Sequence, residues 1–527
     1  MIKSFLVRYV KSPRLPYILA SILFTGISFL FYFPVIGFLP RGIHEWAQAD
    51  RLSLAITFYD FGLDFFHPRT LSFDSIDGIT GVEFPIQAYL AAVLGHIFGR
   101  SSIPALFRCV TITFAISGYF YLFRIVFERT GSFFAALIPA FFLLASPVFS
   151  YYSGNYLPDP ASTALVFVGF YYIQRYLFNG YYFNQLIIGI VFLTLATLVK
   201  SSSAIYLGST LAALLLLTYL NNSIFSLRQK IWLLLSAGAS LMTIALHMIY
   251  INYLNVKYES QTFLISPRPI EDPEMRTIIW VRINELWKYE YFSFLDYGIM
   301  KASLIVLIIY LILNLKNSIK FYYIMFFSFV AIFGAKLFFE LMGTQFHDHD
   351  YYIISPFMPL AVVLIILAII VAEKYAIIKK YLFVMWIPLA VALGITGFTQ
   401  HRARTHEPYK SFSPNYHYRW MQGGAAALQA VGVPPTARIF VLGDSAPNLS
   451  LVYFGRRGLV WNGEPFGMPT AEIQLRMVAH ELQYLVMSQD AFEKFAPNHA
   501  QFLATCKRTT ASLSFVVLEP DLSGQHW

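Results

Sequence analysis

The stretch 42–55, GIHEWAQADRLSLA, places carboxylates directly after a long apolar run that ends at Pro40. Glu45 and Asp50 fall within about three helical turns of that run. If the run crosses a membrane, both carboxylates lie at the level of the lipid headgroups, where a side chain is partly removed from water. Asp50 and Glu45 are therefore the candidate catalytic carboxylates of the loop 40–102.

Two later residues have the right chemistry for substrate contacts. Asp159 stands between two prolines in YLPDPAST, where an aspartate either caps the helix that follows or holds a substrate hydroxyl, and the two roles are compatible. Lys200 ends the apolar run LIIGIVFLTLATLVK. A lysine at that place either extends to the headgroups or binds an anionic group such as a phosphate.

The segment QFHDHDYY, from Gln345, packs two histidines and two aspartates between two apolar runs. A metal site usually needs three or four ligands at a recognisable spacing, so the segment favours a polar cluster that hydrogen-bonds a phosphate or a sugar. Tyr351 and Tyr352 are also typical of the aromatic belt at a membrane surface.

The composition shows what must carry these residues. Of the 527 residues, 57% are hydrophobic and only 13% are charged, far from the roughly 25% of a soluble domain. The chain is thus predicted to be a polytopic α-helical membrane protein. The net charge of +9 is dispersed beside the apolar runs, which excludes a nucleic-acid partner and indicates topology instead. Two cysteines are too few for a disulfide framework.

Apolar runs of about 20 residues predict about eleven spanning helices. Basic residues flank alternate loops and place the N-terminus in the cytoplasm by the positive-inside rule. The chemically dense loops and the C-terminus then lie on the outer side of the cytoplasmic membrane, in contact with its lipids. The segment 82–98 is short and reads as an interfacial helix. The predicted spans are 16–39, 103–126, 133–150, 158–178, 184–200, 202–220, 231–253, 298–315, 321–341, 352–371 and 381–398.

The chain divides into two predicted domains. Residues 1–398 form the membrane domain, with outer loops at 40–102 and 254–297. Residues 399–527 have the composition of a small soluble α/β domain outside the cytoplasm, with short apolar strands such as ARIFVLG, QYLVMS and LSFVVLE. GDSAPN follows the first of these strands and is more typical of a turn capped by Asp444 or Ser445 than of a ligand loop.

The order of these features resembles the GT-C membrane glycosyltransferases. More closely, it is similar to the bacterial relatives of protein O-mannosyltransferases and of the aminoarabinose transferases that modify lipid A. The resemblance covers most of residues 40–360. It rests on WAQADRLSLAITFYDFGLDFFHPR from Trp46, GVEFPIQAYL from Gly81, YLPDPAST from Tyr156, LATLVKSS from Leu195 and HDYYIISPFMPL from His349.

Two departures from the family pattern bear on the site. Many relatives open the first loop with adjacent aspartate and glutamate, whereas here Glu45 and Asp50 are separated. Relatives of the aminoarabinose type carry Lys-Pro-Pro where this chain has EFPI, so Phe84 replaces a lysine that would meet the donor phosphate.

The resemblance implies an inverting transfer of a sugar from a polyprenyl-phosphate carrier to an acceptor hydroxyl on a lipid, a glycan or a protein. Asp50 is the first candidate for the general base and Glu45 the second. A divalent metal is compatible with this chemistry, but the sequence requires no cofactor. The predicted substrate-binding residues are Asp159, Glu83, Lys200, Arg69, Arg51, His349, Asp350 and Tyr351.

Two other classes of function compete with this reading. A flippase or transporter of a lipid-linked saccharide would place ionisable groups near the membrane midplane, but here Lys336 and Glu340 are the only marked exceptions to their clustering at helix ends. A scaffold with a sensing domain would lose nothing when Asp50 is replaced. No nucleotide-binding loop appears in a plausible context.

Overall fold

The structure is a computed structural model that describes residues 14–180, 182–220, 224–263, 266–313, 319–406, 417–461, 463, 467–510 and 514–522. Within these residues the chain is mostly helical, with one five-stranded sheet near the C-terminus. Eight helical segments of this described part of the chain are long and apolar enough to cross a membrane. The chain is therefore a multi-pass membrane protein, as predicted. These segments are Leu15–Val35, Arg100–Thr130, Ser201–Leu220, Leu227–Lys257, Phe294–Leu313, Phe321–Met342, Asp350–Lys374 and Val384–His406.

Each of the eight coincides with a predicted span, and the other three predicted spans also fall on helices. The segment 158–178 is the helix Asp159–Asn179, and 184–200 is the shorter helix Asn184–Val199. The predicted span 133–150 is wrong as one helix, because the chain breaks at Ser146 into Phe133–Ala145 and Pro147–Tyr152. The cause is Pro147, since a proline forces the residue before it into an extended conformation.

The remaining helices are short or lie outside the apolar runs. Ile86–Phe98 is a short apolar helix where the sequence predicted an interfacial one. The others are Glu45–Asp60, Pro273–Arg282, Lys288–Tyr291, Gln345–Asp348, Gly424–Ala430, Leu449–Phe454, Thr470–Ala479, Gln489–Phe495 and Ala500–Ala504.

The chain forms two compact units. The first, here called the helical unit, comprises Met1–Ile36, Cys109–Met248 and Ser266–Glu407. The second, here called the mixed unit, comprises Gly37–Arg108, Ile249–Ile265 and Pro408–Trp527. The long loop after the first span thus shares a unit with the C-terminal segment. The predicted boundary between a membrane domain and a soluble domain near residue 399 stays a prediction.

The sheet of the mixed unit has the order β2-β1-β3-β5-β4. The first three strands are parallel, and β5 and β4 are antiparallel to their neighbours. The three apolar runs predicted as strands are confirmed as β1, β3 and β5, whereas β2 and β4 were not predicted. The strands are β1 (Arg438–Leu442), β2 (Arg457–Trp461), β3 (Tyr484–Ser488), β4 (Cys506–Thr510) and β5 (Phe515–Pro520).

Part of the long loop attaches to the free edge of β2. Phe73 donates its backbone N–H to the carbonyl of Gly458 at 2.8 Å, and Gly458 donates to Leu71 at 3.2 Å. A Cβ at Gly458 would lie 1.8 Å from the carbonyl oxygen of Ile439 on the neighbouring strand β1. Only glycine therefore fits at this position, between β1 and the loop. These bonds fix the loop 71–73 against the sheet.

Candidate active site

Asp50 lies on the helix Glu45–Asp60 of the mixed unit, where its carboxylate has a defined partner. The side-chain amide of Asn448 donates to Asp50 Oδ1 at 2.9 Å. The Asn448 amide oxygen accepts from the backbone N–H of Ser72 at 3.0 Å. Because a backbone N–H can only donate, this second bond fixes the orientation of the amide and presents its NH₂ group to Asp50.

Asn448 is the last residue of the turn GDSAPN, which is held in place by Asp444. The Asp444 carboxylate accepts from the backbone N–H groups of Ala446 at 3.0 Å and Ser450 at 2.9 Å. GDSAPN is thus a turn capped by Asp444, as the sequence favoured. Asn448 is fully buried, so its side chain has little freedom to leave Asp50.

The surroundings of Asp50 raise its pKa to about 7. Removal from water is the largest cause, because a buried carboxylate is less favourable when charged. The carboxylates of Asp74 and Asp444 raise the pKa further, while the hydrogen bond from Asn448 and the charge of Arg51 lower it. A carboxylate with this pKa exchanges protons readily near neutral pH, as a general base requires.

Glu45, the alternative base, is occupied locally. Its carboxylate accepts from the backbone N–H of Gly42 at 3.0 Å, and its side chain is buried. This bond closes the turn through His44, which has a left-handed backbone with φ of 53°, at the start of the helix. Glu45 thus closes the turn that precedes the helix.

Arg51 and Glu83, both predicted to contact substrate, are brought together. Arg51 Nη2 lies 2.9 Å from Glu83 Oε2, and the guanidinium stacks over Phe263 at 4.6 Å from the ring centroid. Arg69 is held elsewhere in the unit, with its Nε 3.2 Å from Asp77 Oδ2.

Asp159 lies in the helical unit and is buried. Of the two roles left open for it, capping gains no support, because the helix begins at Asp159 itself and Pro158 takes the cap position. Its Oδ1 instead accepts from the hydroxyl of Ser355 at 3.2 Å. Asp159 is thus bound to the helix Ile354–Lys374, which follows the HDHDYY segment.

Lys200, His349, Tyr351 and Tyr352 lie together in the helical unit. Lys200 Nζ is 5.7 Å from the centroid of the Tyr352 ring, within the range of a cation–π contact. The His349 ring lies 5.5 Å from that of Tyr352 and 5.4 Å from that of Tyr351. The arrangement gathers one cation, one imidazole and two phenol groups, all of which can donate hydrogen bonds to a phosphate.

Asp350 is enclosed by protein partners. Tyr152 donates its hydroxyl to Asp350 Oδ1 at 2.8 Å, and Arg404 pairs with Oδ2. Arg404 Nη1 also pairs with Glu290 Oε2 at 3.1 Å, and all three charged side chains are at most 1% exposed. This arrangement fixes the backbone of the HDHDYY segment next to His349.

The HDHDYY segment does not converge on a metal in this structure. His347 Nδ1 lies 2.7 Å from Asp348, while Asp350 faces Arg404. Across the described ranges, no group of three or more His, Cys, Asp or Glu side chains is arranged to hold a metal ion.

Sequence reasoning missed Asn448 and Arg404. Asn448 is the last residue of GDSAPN, but only Asp444 and Ser445 were singled out there, and its contact with Asp50 joins positions 398 residues apart. Arg404 had a weak signal, because HRARTH follows the last apolar run and resembles an ordinary basic flank.

No family model and no curated protein matches this chain. Among solved structures, ArnT from Cupriavidus metallidurans in the apo state matches with a TM-score of 0.53 and 12% identity, covering 96% of this chain and 98% of that one. The apo oligosaccharyltransferase of Archaeoglobus fulgidus matches with a TM-score of 0.50 and 13% identity, over 93% and 72%. ArnT bound to undecaprenyl phosphate gives a TM-score of 0.46 at 12% identity, over 96% and 99%.

Both apo structures are GT-C glycosyltransferases. The chain therefore has the GT-C fold, which confirms the fold that the sequence resemblance predicted.

Proposed function

We propose that the chain is an inverting glycosyltransferase that moves a sugar from a polyprenyl-phosphate carrier to an acceptor hydroxyl on the outer side of the cytoplasmic membrane. The observation that carries the proposal is Asp50, whose carboxylate is held by Asn448 at 2.9 Å and has a pKa of about 7. A base with that pKa at the start of the long loop is what activation of a hydroxyl near neutral pH needs.

Asp50 accepts the proton of the acceptor hydroxyl as the oxygen attacks the anomeric carbon. The bond from that carbon to the phosphate oxygen breaks on the opposite face, and its electron pair leaves with the carrier as polyprenyl phosphate. Negative charge on the phosphate grows in the transition state, so cations stabilise that state more than the ground state. The proposal assigns this role to Lys200 and His349, with Arg69 and Arg51 as further predicted sources of positive charge.

The carboxylates of Asp159 and Glu83 are assigned to hydroxyl groups of the sugar or the acceptor. Tyr351 joins the phosphate-binding group. The structure gives Asp350 all its partners from the protein, so we assign it to positioning the His349 segment. None of these assignments needs a metal ion, although the chemistry is compatible with one.

Glu340 is one of the two ionisable residues that do not cluster at helix ends, as a transporter would require. Its carboxylate has a structural partner. Arg276 pairs with it through two bonds of 2.9 Å and 2.7 Å. Transport therefore gains no support from this residue.

The test is sugar transfer by purified protein from polyprenyl-phosphate donors, with Asp50→Asn and Glu45→Gln assayed in parallel. We expect Asp50→Asn to abolish transfer and Glu45→Gln to retain most of it. Asp60→Asn, on the same helix and in an exposed pair with Arg100, is the matched control. Retained transfer in the Asp50→Asn, Glu45→Gln double variant contradicts the proposed base.

The outer location is tested separately. A reporter fused after Trp527 should be active only when it is exported from the cytoplasm. A cytoplasmic signal from that fusion overturns the proposed topology and leaves the chemistry to be tested on its own.

A further inference from the structure

A polar cleft of about 640 Å³ opens in the mixed unit, apart from the contacts that hold Asp50. One wall comes from the long loop and from the segment after the helix Leu227–Lys257, and the other comes from the sheet and the helix Thr470–Ala479. Acidic side chains line the first wall and basic side chains line the second. They are Asp74, Asp77 and Glu259 on the first, and Arg438, Arg476 and His480 on the second.

Ser75 lines the cleft and is only 6% exposed. Its hydroxyl has no hydrogen-bond partner among the residues that the structure describes. A buried polar group without a partner is destabilising, and such groups are rare in folded proteins. The Ser75 hydroxyl is therefore suited to a ligand that supplies the missing bond.

Two residues of the acidic wall have a backbone conformation that is costly for them. Asp77 has φ of 54° and Glu259 has φ of 55°, both in the left-handed region. Non-glycine residues persist there when the surrounding structure holds them, and such residues cluster at ligand sites.

The charges of the cleft select the class of ligand. The two arginines are already paired, Arg438 with Glu481 at 2.9 Å and Arg476 with Glu472 at 2.7 Å. Free phosphate would meet three carboxylates, and an amine would meet two guanidinium groups. A hydroxyl group can both donate to carboxylates and accept from guanidinium groups, so a hydroxyl-rich ligand fits both walls.

Asp74 connects the cleft to the proposed base. Its carboxylate lines the cleft, interacts with the charges of His480 and Arg476, and also contributes to the raised pKa of Asp50. Asp74 also donates its backbone N–H to the Ser72 hydroxyl, and the backbone N–H of Ser72 binds Asn448, the donor to Asp50, so the cleft and the proposed base share one hydrogen-bonded segment.

We propose that this cleft binds an uncharged, hydroxyl-rich saccharide. Under the proposed function, on which this second assignment rests, that saccharide is part of the acceptor, and the enzyme therefore glycosylates a glycan or a glycan-bearing lipid.

The test is calorimetric titration of the full chain in detergent with maltotetraose, chitotetraose and mannotetraose, and with inorganic phosphate and putrescine as charged probes. At least one tetrasaccharide should bind, and the charged probes should not. Arg476→Ala should weaken binding at least 10-fold. Arg419→Ala, an exposed arginine of the same unit, should leave it unchanged.

Ser75→Ala separates binding from stability. Removing an unpartnered buried hydroxyl should keep or raise the thermal midpoint, while the lost hydrogen bond should weaken saccharide binding about 2- to 10-fold. Because Arg476→Ala could unfold the unit, this second variant keeps the test valid.

Binding requires no chemistry, so the result is distinguishable from a failure of the proposed function. Asp50→Asn should retain saccharide binding even where it abolishes transfer. The cleft proposal is overturned if no tetrasaccharide binds, if phosphate binds instead, or if Ser75→Ala and Arg476→Ala bind like the unaltered chain.

Discussion

Asp50 precedes Arg51 in the sequence and Asp350 pairs with Arg404, yet the two aspartates have opposite environments. Asp50 accepts a hydrogen bond from the neutral side-chain amide of Asn448, and burial raises its pKa to about 7. Asp350 is fully enclosed and uses both carboxylate oxygens, one for the Tyr152 hydroxyl and one for Arg404.

Asp50 is therefore a carboxylate that can gain or lose a proton near neutral pH, whereas the carboxylate of Asp350 is used in structural contacts. A neutral donor orients Asp50 without a counterion, whereas Asp350 is bound by a buried arginine and a tyrosine hydroxyl. The environment of each carboxylate therefore decides between a reactive and a positioning role. Substitutions that exchange these properties test the distinction.

The largest effect should come from Asp50→Asn. Loss of a general base lowers a rate by about 10² to 10⁴-fold. The measurement is kcat for transfer from a polyprenyl-phosphate donor, with Asp60→Asn as control. A fall of less than tenfold would place Asp50 with the structural carboxylates.

The same substitution should stabilise the protein above neutral pH. The pKa of Asp50 is higher in the folded chain than its ordinary 3.8, so the folded state binds more protons between about pH 4 and pH 7. Stability contributed by this group is therefore lost as the pH rises through that window. The thermal midpoint of Asp50→Asn should exceed that of the unaltered chain at pH 8 and approach it at pH 4. The opposite order at pH 8 contradicts the raised pKa.

Arg404→Met should unfold the helical unit more easily. It leaves Asp350 and Glu290 buried without their shared counterion, which typically costs about 3–5 kcal/mol. The measurement is the thermal midpoint in detergent. Arg402→Met, on the exposed side of the same helix, should change it little.

Asn448→Ala should shift the pH profile of activity. The lost hydrogen bond favoured the charged carboxylate, so the pKa of Asp50 rises and the acidic limb of kcat moves up by about one pH unit. Activity near pH 7 should fall about fivefold and recover at higher pH. Asn498→Ala, an exposed asparagine of the same unit, is the control. An unmoved limb would show that Asn448 supports only the fold.

Tyr152→Phe should have the smallest effect. It removes one donor from Asp350 but leaves Arg404 in place, so stability should fall by about 1 kcal/mol. The midpoint of denaturation measures this loss. A loss as large as that of Arg404→Met would show that the hydroxyl, and not the ion pair, dominates this cluster.

The features readable from the sequence are those with local causes. Apolar run length predicted the long helices, and short apolar runs predicted β1, β3 and β5 of the sheet. The break at Ser146 was missed although Pro147 signalled it, because the apolar run continues through it. Asp444 was predicted as a cap because it lies next to the groups that it caps.

The partners of the candidate site have no local cause and could not be predicted. Asn448 and Arg404 are an ordinary asparagine and an ordinary basic residue until folding brings them to Asp50 and Asp350. The local context of Asp159 left a cap and a hydroxyl contact open, and it gave no sign of its contact with Ser355, 196 residues away. Side chains that act through long-range contacts leave little trace in single-sequence patterns.

The bond between Asp50 and Asn448 has a consequence for how the protein is made. Asp50 is synthesised early, whereas its donor follows 398 residues later, after about 20 to 80 seconds of further translation. Until then the nascent chain inserts its helices with an unanchored carboxylate. A chain truncated before Asn448 would therefore lack the group that orients its proposed base. Synthesis of the C-terminal part of the chain thus decides when the carboxylate of Asp50 is held in place.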